Sequence, residues 1–217
     1  MRPAVFGAMD GLVSNFALIA GMDGGTQSGS RFIVLAGLAG LAAGAFSMAA
    51  GEYTSVASQR ELAHAEIEVE RREIQLHPGD EESELAATYR AKGLDPDLAS
   101  KVAEQFHADP DQALEEHVRE ELGLDPNDLP SPLLAAASSF ICFAVGALIP
   151  VLPYLLGAGS VIPALIMSLT ALFICGAVVS RVTTRSWWYS GLRQLILGAA
   201  AAALTYGVGA LVGPGIG

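Results

Sequence analysis

The chain has 217 residues, 52% of them hydrophobic, and a formal net charge of −11 at pH 7. Several apolar runs approach the twenty residues that a helix needs to cross a hydrocarbon core of about 30 Å, which excludes an ordinary soluble domain. The negative charge disfavours nucleic acid and anionic lipid as partners and favours cations.

The apolar runs predict an all-α membrane protein with five transmembrane helices. Each run is long enough to span the bilayer, and an odd number of spans places the two termini on opposite sides. In the third span, Pro150 and Pro153 are expected to kink or loosen the helix near its outer end. The predicted spans are 3–21, 32–57, 132–156, 161–180 and 188–212.

The basic residues predict which loops face the cytoplasm. Arg2 precedes span one, seven Lys/Arg follow span two, and two arginines, Arg181 and Arg185, follow span four. The loops on the other side carry only Arg31. By the positive-inside rule the N-terminus and the segment after span two are cytoplasmic. High Ala and Gly usage without a targeting extension favours a prokaryotic plasma membrane, with a vacuolar membrane as the alternative.

The segment between spans two and three predicts an acidic helical domain. Residues 58–130 include twenty Asp/Glu, seven Lys/Arg and all four His, a net charge of −13 with His neutral. The chain is therefore divided into spans one and two (1–57), a cytoplasmic metal-binding domain (58–130) and spans three to five (131–217). Span two should continue unbroken to about Leu76 and end at residues 77–80. Further helices are predicted at 81–91, 96–107 and 110–122.

Three residues in the first two spans predict an ion pathway within the membrane. Counted from the cytoplasmic ends at 1.5 Å per residue, Asp10 lies roughly 12 Å deep, Met48 roughly 15 Å and Glu52 roughly 9 Å. An ionised carboxylate at mid-bilayer costs roughly 2.5–3.5 kcal/mol, so such acids usually face a cavity, a partner or an ion. Two acids and a thioether suit a borderline divalent ion such as Fe²⁺, Mn²⁺, Co²⁺ or Zn²⁺. The alternatives are a structural hydrogen bond for Asp10, packing for Met48 and solvation for Glu52.

Glutamate spacing predicts metal binding by the acidic domain. Glutamates recur every three or four residues on several predicted helices, which places them on common faces where like charges repel unless a cation is bound. Glutamate pairs with histidine are typical of helical carboxylate metal sites. The candidate ligands are Glu66, Glu70, Glu73, Glu81, Glu84, His117 and Glu121. The alternative is a solvated acidic surface, because neither a HExxH nor an EF-hand pattern occurs.

Four sequence segments together resemble a known family. They are Asp10-Gly11-Leu12-Val13-Ser14, residues 44–53 (GAFSMAAGEY), Glu120-Glu121-Leu122-Gly123 and residues 146–154 (GALIPVLPY). In this order, and over nearly the whole chain, they resemble the vacuolar iron transporter family. The resemblance implies a homodimer of five-span subunits with a pathway at the dimer interface and a helical cytoplasmic metal-binding domain. It also implies that Fe²⁺, and sometimes Mn²⁺, leaves the cytoplasm in exchange for protons.

The resemblance implies roles for individual residues as well. Asp10 and Met48 correspond to the intramembrane pair that handles the ion. The implied cytoplasmic carboxylate ligands are Glu70, Glu73, Glu81, Glu84 and Glu121. The chain departs from the family at two places: His117-Val118 stands where plant members have a Met-Met pair, and Gly40 stands where some members have a glutamate.

Three functions are consistent with these residues. The first is a transporter that exports Fe²⁺, with Mn²⁺ as a second candidate ion, by proton antiport. It would have no tightly bound cofactor, and its partners would be protons, the lipid bilayer and a second subunit. The second is a membrane-anchored di-iron oxidase or ferroxidase, which usually needs two Glu-x-x-His repeats that the acidic domain lacks. The third is a metal sensor or buffer that does not transport, for which Asp10 would have no use.

Overall fold

The computed structural model of the protein describes residues 2–25 and 30–213, and within these residues helices joined by turns and loops occur but no strand. Part of the predicted loop between spans one and two (26–29) and the end of the C-terminal tail (214–217) lie outside the described residues, as does Met1. The helices are α1 (Arg2–Gly25), α2 (Ser30–Leu76), α3 (Pro78–Ala91), α4 (Pro96–His107), α5 (Pro110–His117), α6 (Pro132–Leu148), α7 (Leu152–Leu155), α8 (Ile162–Val179) and α9 (Trp187–Val212).

The chain divides into two compact units, each with its own core. The first, called here the membrane unit, comprises Met1–Thr54 and Pro132–Gly217; the second, called the acidic unit, comprises Ser55–Ser131. Four of the described helices are long and apolar enough to cross a membrane, namely α1, α2, α8 and α9. The protein is therefore an all-helical membrane protein.

The third predicted span is broken in the structure. Its first part, α6, has 17 residues and ends at Leu148, and after a turn the chain forms the short helix α7. In the turn, the Val151 N–H donates to the Leu148 carbonyl at 3.1 Å. Pro150 lies in this turn and Pro153 in the first turn of α7, and neither can donate a backbone hydrogen bond that would extend α6. The predicted disruption near Pro150 is confirmed, whereas a fifth continuous span is not among the described helices.

Helix α1 forms the centre of the membrane unit. Leu12, Phe16 and Ala20 on α1 are buried in one cluster with Leu172 of α8 and Ala202 of α9. On another side, α1 meets α6 so closely that a Cβ on Gly146 would collide with the Ala8 carbonyl oxygen. Small residues at such positions let helix backbones approach in membranes, where packing rather than hydrophobicity drives association.

The acidic unit contains the predicted helices with shifted ends. The continuation of α2 to Leu76 and the helix 96–107 are confirmed. The break at 77–80 is wrong in length, because α3 begins at Pro78, and proline is favoured in the first helical turn where its missing N–H is not needed. The predicted helix 110–122 begins at Pro110 as expected, but α5 ends at His117, and Val118–Leu122 form a π-helical turn that ends at Gly123, where φ is +65°.

Two small apolar clusters hold the acidic unit together. Ile67 and Ile74 of α2 pack with Leu114 of α5 and Val118 of the π-helical turn. Leu85 and Ala86 of α3 pack with Ala103 of α4. Around seventy residues bury little apolar surface, so the position of each buried charge in this unit weighs heavily on its stability.

Candidate metal sites

Four of the predicted ligands converge in the acidic unit. Glu70, Glu81, His117 and Glu121, called here the carboxylate–histidine cluster, each offer a ligand atom, and these atoms lie within 4.8 Å of one another. They come from α2, from the first turn of α3, from the end of α5 and from the π-helical turn. The π-helical turn follows His117 directly and carries Glu121. Such turns are frequent at functional sites.

His117 is at the centre of this cluster. Its side chain is fully buried, with 0% exposed, while those of Glu70 and Glu81 are 13% and 9% exposed. Its Nδ1 lies 2.8 Å from Glu121 Oε1, 3.0 Å from Glu70 Oε1 and 3.7 Å from Glu81 Oε2. One Nδ1–H can donate to one of these oxygens, and Glu70 Oε1 is buried without a hydrogen-bond partner. A buried acceptor without a partner is costly, and a cation among the three carboxylates would remove that cost.

The electrostatics of the cluster oppose the metal-free, fully ionised form. Burial, followed by the charge of Glu121, raises the pKa of Glu70 to about 7; His117 opposes this shift and Glu81 adds to it. Burial also raises the pKa of Glu81, again against the effect of His117. At neutral pH, the cluster therefore either retains protons or gains from binding a positive ion.

Three of the predicted ligands lie outside the cluster. Glu66, Glu73 and Glu84 are exposed. The charges of Glu84 and Glu73 contribute to the raised pKa of Glu81, so both are near its carboxylate. As ligands they remain predictions.

Two other glutamates close to Glu121 in the sequence have partners outside the cluster. Glu116 accepts a hydrogen bond from the Tyr89 hydroxyl, and Glu120 forms an ion pair with Lys92. Sequence spacing alone could not separate these two from Glu121, because all three lie on one short segment.

Sequence reasoning missed His107. Its Nε2 lies 3.0 Å from Nε2 of His117, and the two rings meet edge to face with centroids 5.2 Å apart. His107 is the last residue of α4, and a break at Asp109-Pro110 separates it from α5. Helical periodicity relates residues on one helix, so no spacing rule linked the two histidines.

The three predicted pathway residues line one cavity in the membrane unit. This open cavity has a volume of about 380 Å³ and is bounded by α1, α2 and α6. Its lining residues are Asp10, Ser14, Gly44, Ser47, Met48, Gly51, Glu52 and Phe143. A Cβ on Gly44 would collide with the ring of Phe143, so the glycine is needed where α2 and α6 meet at the cavity wall.

Asn15 fastens the helices that bound this cavity. Its buried amide donates to the Ala147 carbonyl of α6 at 2.6 Å and to the Gly37 carbonyl of α2 at 3.1 Å. The preceding residue, Ser14, donates its hydroxyl to the carbonyl of Asp10 one turn earlier at 2.6 Å, so this hydroxyl does not donate to the Asp10 carboxylate. The cavity is thus built on three helices that polar bonds hold in register.

The sequence is similar to one protein family and to several named proteins over most of its length. Residues 1–210 match a family model described as the VIT family. The chain is 32% identical over 211 residues to vacuolar iron transporter 2 of Oryza sativa subsp. japonica, a match that covers 96% of this chain and 85% of the relative. It is 37% identical over 219 residues to a vacuolar iron transporter of Acanthamoeba castellanii, covering 97% and 78%. The match to vacuolar iron transporter 1 of Arabidopsis thaliana is 32% over 209 residues, covering 95% and 83%.

Proposed function

The chain belongs to the VIT family, and from this we propose that it exports ferrous iron from the cytoplasm, with Mn²⁺ as a second substrate, in exchange for protons. Relatives that match nearly the whole chain are named as iron transporters, so this protein is a metal transporter rather than an enzyme. The observation that carries the proposal is the convergence of three carboxylates on one buried imidazole, with a buried Glu70 oxygen that has no partner.

The first step is capture of the ion by the carboxylate–histidine cluster. Carboxylate oxygens and an imidazole nitrogen suit Fe²⁺, Mn²⁺ and related divalent ions. Bound metal would supply the positive charge that the buried carboxylates lack. Because a ligand must lose its proton to bind the metal, capture releases protons and is weakened by acid.

The second step uses the cavity of Asp10, Met48 and Glu52. Two carboxylates and a thioether form an incomplete ligand set, and an incomplete set lets an ion leave as well as enter. Protonation of Asp10 or Glu52 removes a charge that holds the metal, so a proton arriving from the far side would favour release. This exchange of charge at one site is the physical basis of antiport.

The exposure of Asp10 supports a homodimer with the pathway at its interface. In a single chain the Asp10 side chain is exposed at a depth that composition assigns to the membrane. A carboxylate facing lipid costs roughly 2.5–3.5 kcal/mol even on lenient scales. A second copy placed over this face would enclose the cavity and remove the contact with hydrocarbon.

The proposed orientation places the N-terminus and the acidic unit in the cytoplasm. Basic residues cluster at Arg2, in the acidic unit and at Arg181 and Arg185, which is the pattern of cytoplasmic loops. In this orientation, with α6 and α7 together as the remaining span, the chain crosses the membrane five times. A prokaryotic plasma membrane remains our prediction for its location, with a vacuolar membrane as the alternative.

Metal uptake into proteoliposomes containing a pH-sensitive dye tests the proposal. We expect Fe²⁺ and Mn²⁺ to enter while protons leave, and Asp10→Asn to abolish both movements. Asp23→Asn is the matched control, because Asp23 lies on the same helix but does not line the cavity. Unchanged flux in Asp10→Asn would reject the pathway. Metal binding without any flux in the parent protein would favour the sensor.

A further inference from the structure

His107 is partly buried and contacts the carboxylate–histidine cluster through His117. The proposed transport steps give His107 no role. It approaches His117 from the side opposite to the carboxylates, because Nε2 of His117 faces His107 while Nδ1 faces Glu70 and Glu121. Both nitrogens of a fully buried ring therefore have protein partners. The arrangement fixes the ring in one orientation.

We propose that His107 is a positioning residue for the metal: its Nε2 accepts the Nε2–H of His117, which directs the Nδ1 lone pair of His117 at an ion held by Glu70, Glu81 and Glu121. The inference rests on the metal-binding role of the cluster in the proposed function. It adds a residue, and the choice of ligating nitrogen, that the ligand set alone does not specify.

The chemistry of imidazole makes the two nitrogens interdependent. A neutral ring carries one N–H, so a ring that binds metal through Nδ1 must carry its proton on Nε2. That proton sits inside the protein and needs an acceptor, because a buried donor without a partner costs free energy. Nε2 of His107, at 3.0 Å, is placed to be this acceptor.

The surroundings of His107 keep its ring in place. The preceding residue, Phe106, stacks on Tyr89 with ring centroids 6.4 Å apart, and Tyr89 in turn donates to Glu116 on α5. Helix α4 is thereby fastened to both α3 and α5. The backbone that carries His107 is therefore anchored next to His117, which suits a role in orienting that ring.

His107 is not itself one of the converging ligands. The group whose ligand atoms lie within 4.8 Å of one another contains Glu70, Glu81, His117 and Glu121 but no nitrogen of His107. Its Nε2 is engaged by His117, so its effect on the ion must pass through that ring. Partners of metal-bound histidines commonly alter metal affinity by about 10- to 100-fold.

A double-mutant cycle on the full-length protein in detergent tests the proposal, with Co²⁺ as the probe. Co²⁺ affinity would be measured by competition with a fluorescent chelator, and its visible spectrum would report the ligands. Glu70→Gln identifies the signal that belongs to the cluster. We expect His107→Leu to weaken this site about 10- to 100-fold, and His107→Gln, whose amide oxygen can accept the same proton, to recover much of the loss.

The cycle separates positioning from other roles. In the His117→Met background, which has no Nε2–H, His107→Leu should cause no further loss of affinity. An equal loss in both backgrounds would overturn the proposal, as would unchanged affinity in His107→Leu. His64→Leu is the matched control, because His64 is exposed and lies outside the cluster.

A measurement on the unmutated protein covers the case in which His107→Leu fails to fold. With ¹⁵N-labelled histidine and diamagnetic Zn²⁺, the chemical shifts of His117 should show metal on Nδ1 and a proton on Nε2. Metal on Nε2 would overturn the positioning role alone. If Co²⁺ and Zn²⁺ failed to bind the cluster at all, the capture step of the proposed function would fall as well, so the two failures are distinguishable.

Discussion

At the residue scale, the ionised form of Glu70 lowers the stability of the folded, metal-free protein. The difference between its ordinary pKa of 4.5 and about 7 corresponds to roughly 3 kcal/mol against the ionised form in the absence of metal. Glu70→Gln keeps the shape and removes the charge. We expect the variant to unfold at a higher temperature than the parent protein in chelator at pH 8 and to lose most of the stabilisation that Mn²⁺ gives the parent.

Glu61→Gln is the matched control for this prediction, because Glu61 lies on the same helix, is exposed and is not one of the candidate ligands. Thermal unfolding in detergent with and without Mn²⁺ measures both effects. A Glu70→Gln variant that still gains the parent's full stabilisation from Mn²⁺ would remove Glu70 from the ligand set.

Because of Glu70, the stability of the metal-free protein should fall as the pH rises. Because the folded-state pKa of Glu70 is raised, the folded protein binds more protons than the unfolded chain between about pH 4.5 and 7. Its contribution to the stability of the metal-free protein is therefore most favourable below pH 4.5 and is lost as the pH rises through about 7. Denaturant unfolding in chelator at pH 5 and pH 8 should show this loss in the parent and a smaller loss in Glu70→Gln. Equal losses would contradict the assignment.

What sequence could predict at this scale depended on whether residues share a helix. His117 and Glu121 are one turn apart, and this spacing suffices to pair them. Glu81 and His107 lie on other helices, α3 and α4. Their positions next to His117 depend on the breaks between helices at His77 and at Asp109-Pro110. Glu81 was found because it belongs to a glutamate pair, whereas His107 stood alone in the sequence and had no such signal.

At the scale of elements, the contact between α1 and α6 gives a direct prediction. In Gly146→Ala the new methyl group meets the backbone of α1 at the Ala8 carbonyl, which cannot rotate away. Overpacking of this kind typically costs about 1–3 kcal/mol, so we expect a lower unfolding temperature in detergent. Gly207→Ala is the control: a Cβ there meets nothing within 4 Å, and alanine in a helix is favoured over glycine by roughly 0.5–1 kcal/mol.

The type of an element could be predicted where the hydrophobic periodicity extends over many residues. Its ends could be predicted where a capping residue, a glycine or a proline marks them. The helix 96–107 begins after Asp95, whose carboxylate accepts from the Asp97 N–H at 3.0 Å, as expected for a helix cap. The π-helical turn at Val118–Leu122 had no such mark, because the sequence there favours an α-helix equally well. Val118 in this turn packs against Ile67 and Ile74 of α2, a contact between distant parts of the chain that a local sequence pattern does not contain.

At the scale of the whole molecule, capture and translocation should be separable by kinetics. Glu70→Gln should raise the Fe²⁺ concentration for half-maximal uptake by about tenfold or more, the effect of losing at least roughly 1.4 kcal/mol of binding free energy. Its maximal rate should change little. Asp10→Asn should instead abolish the maximal rate, because it removes a group from the pathway itself.

Initial rates of Fe²⁺ uptake over a range of concentrations in proteoliposomes measure both quantities, with Glu61→Gln and Asp23→Asn as controls. A Glu70→Gln variant with a collapsed maximal rate and an unchanged half-saturating concentration would show that the cluster does not act as a capture site.

The composition of the carboxylate–histidine cluster has a consequence for iron redox chemistry. If the cluster holds iron as proposed, three ionised carboxylates and a neutral imidazole would surround Fe²⁺ with one negative charge left over, whereas Fe³⁺ would leave the assembly electrically neutral. In a poorly hydrated pocket the neutral assembly is the more stable one. In the proposed mechanism, oxidation of an ion held there would therefore slow its release, and we expect export to require iron that stays in the reduced state.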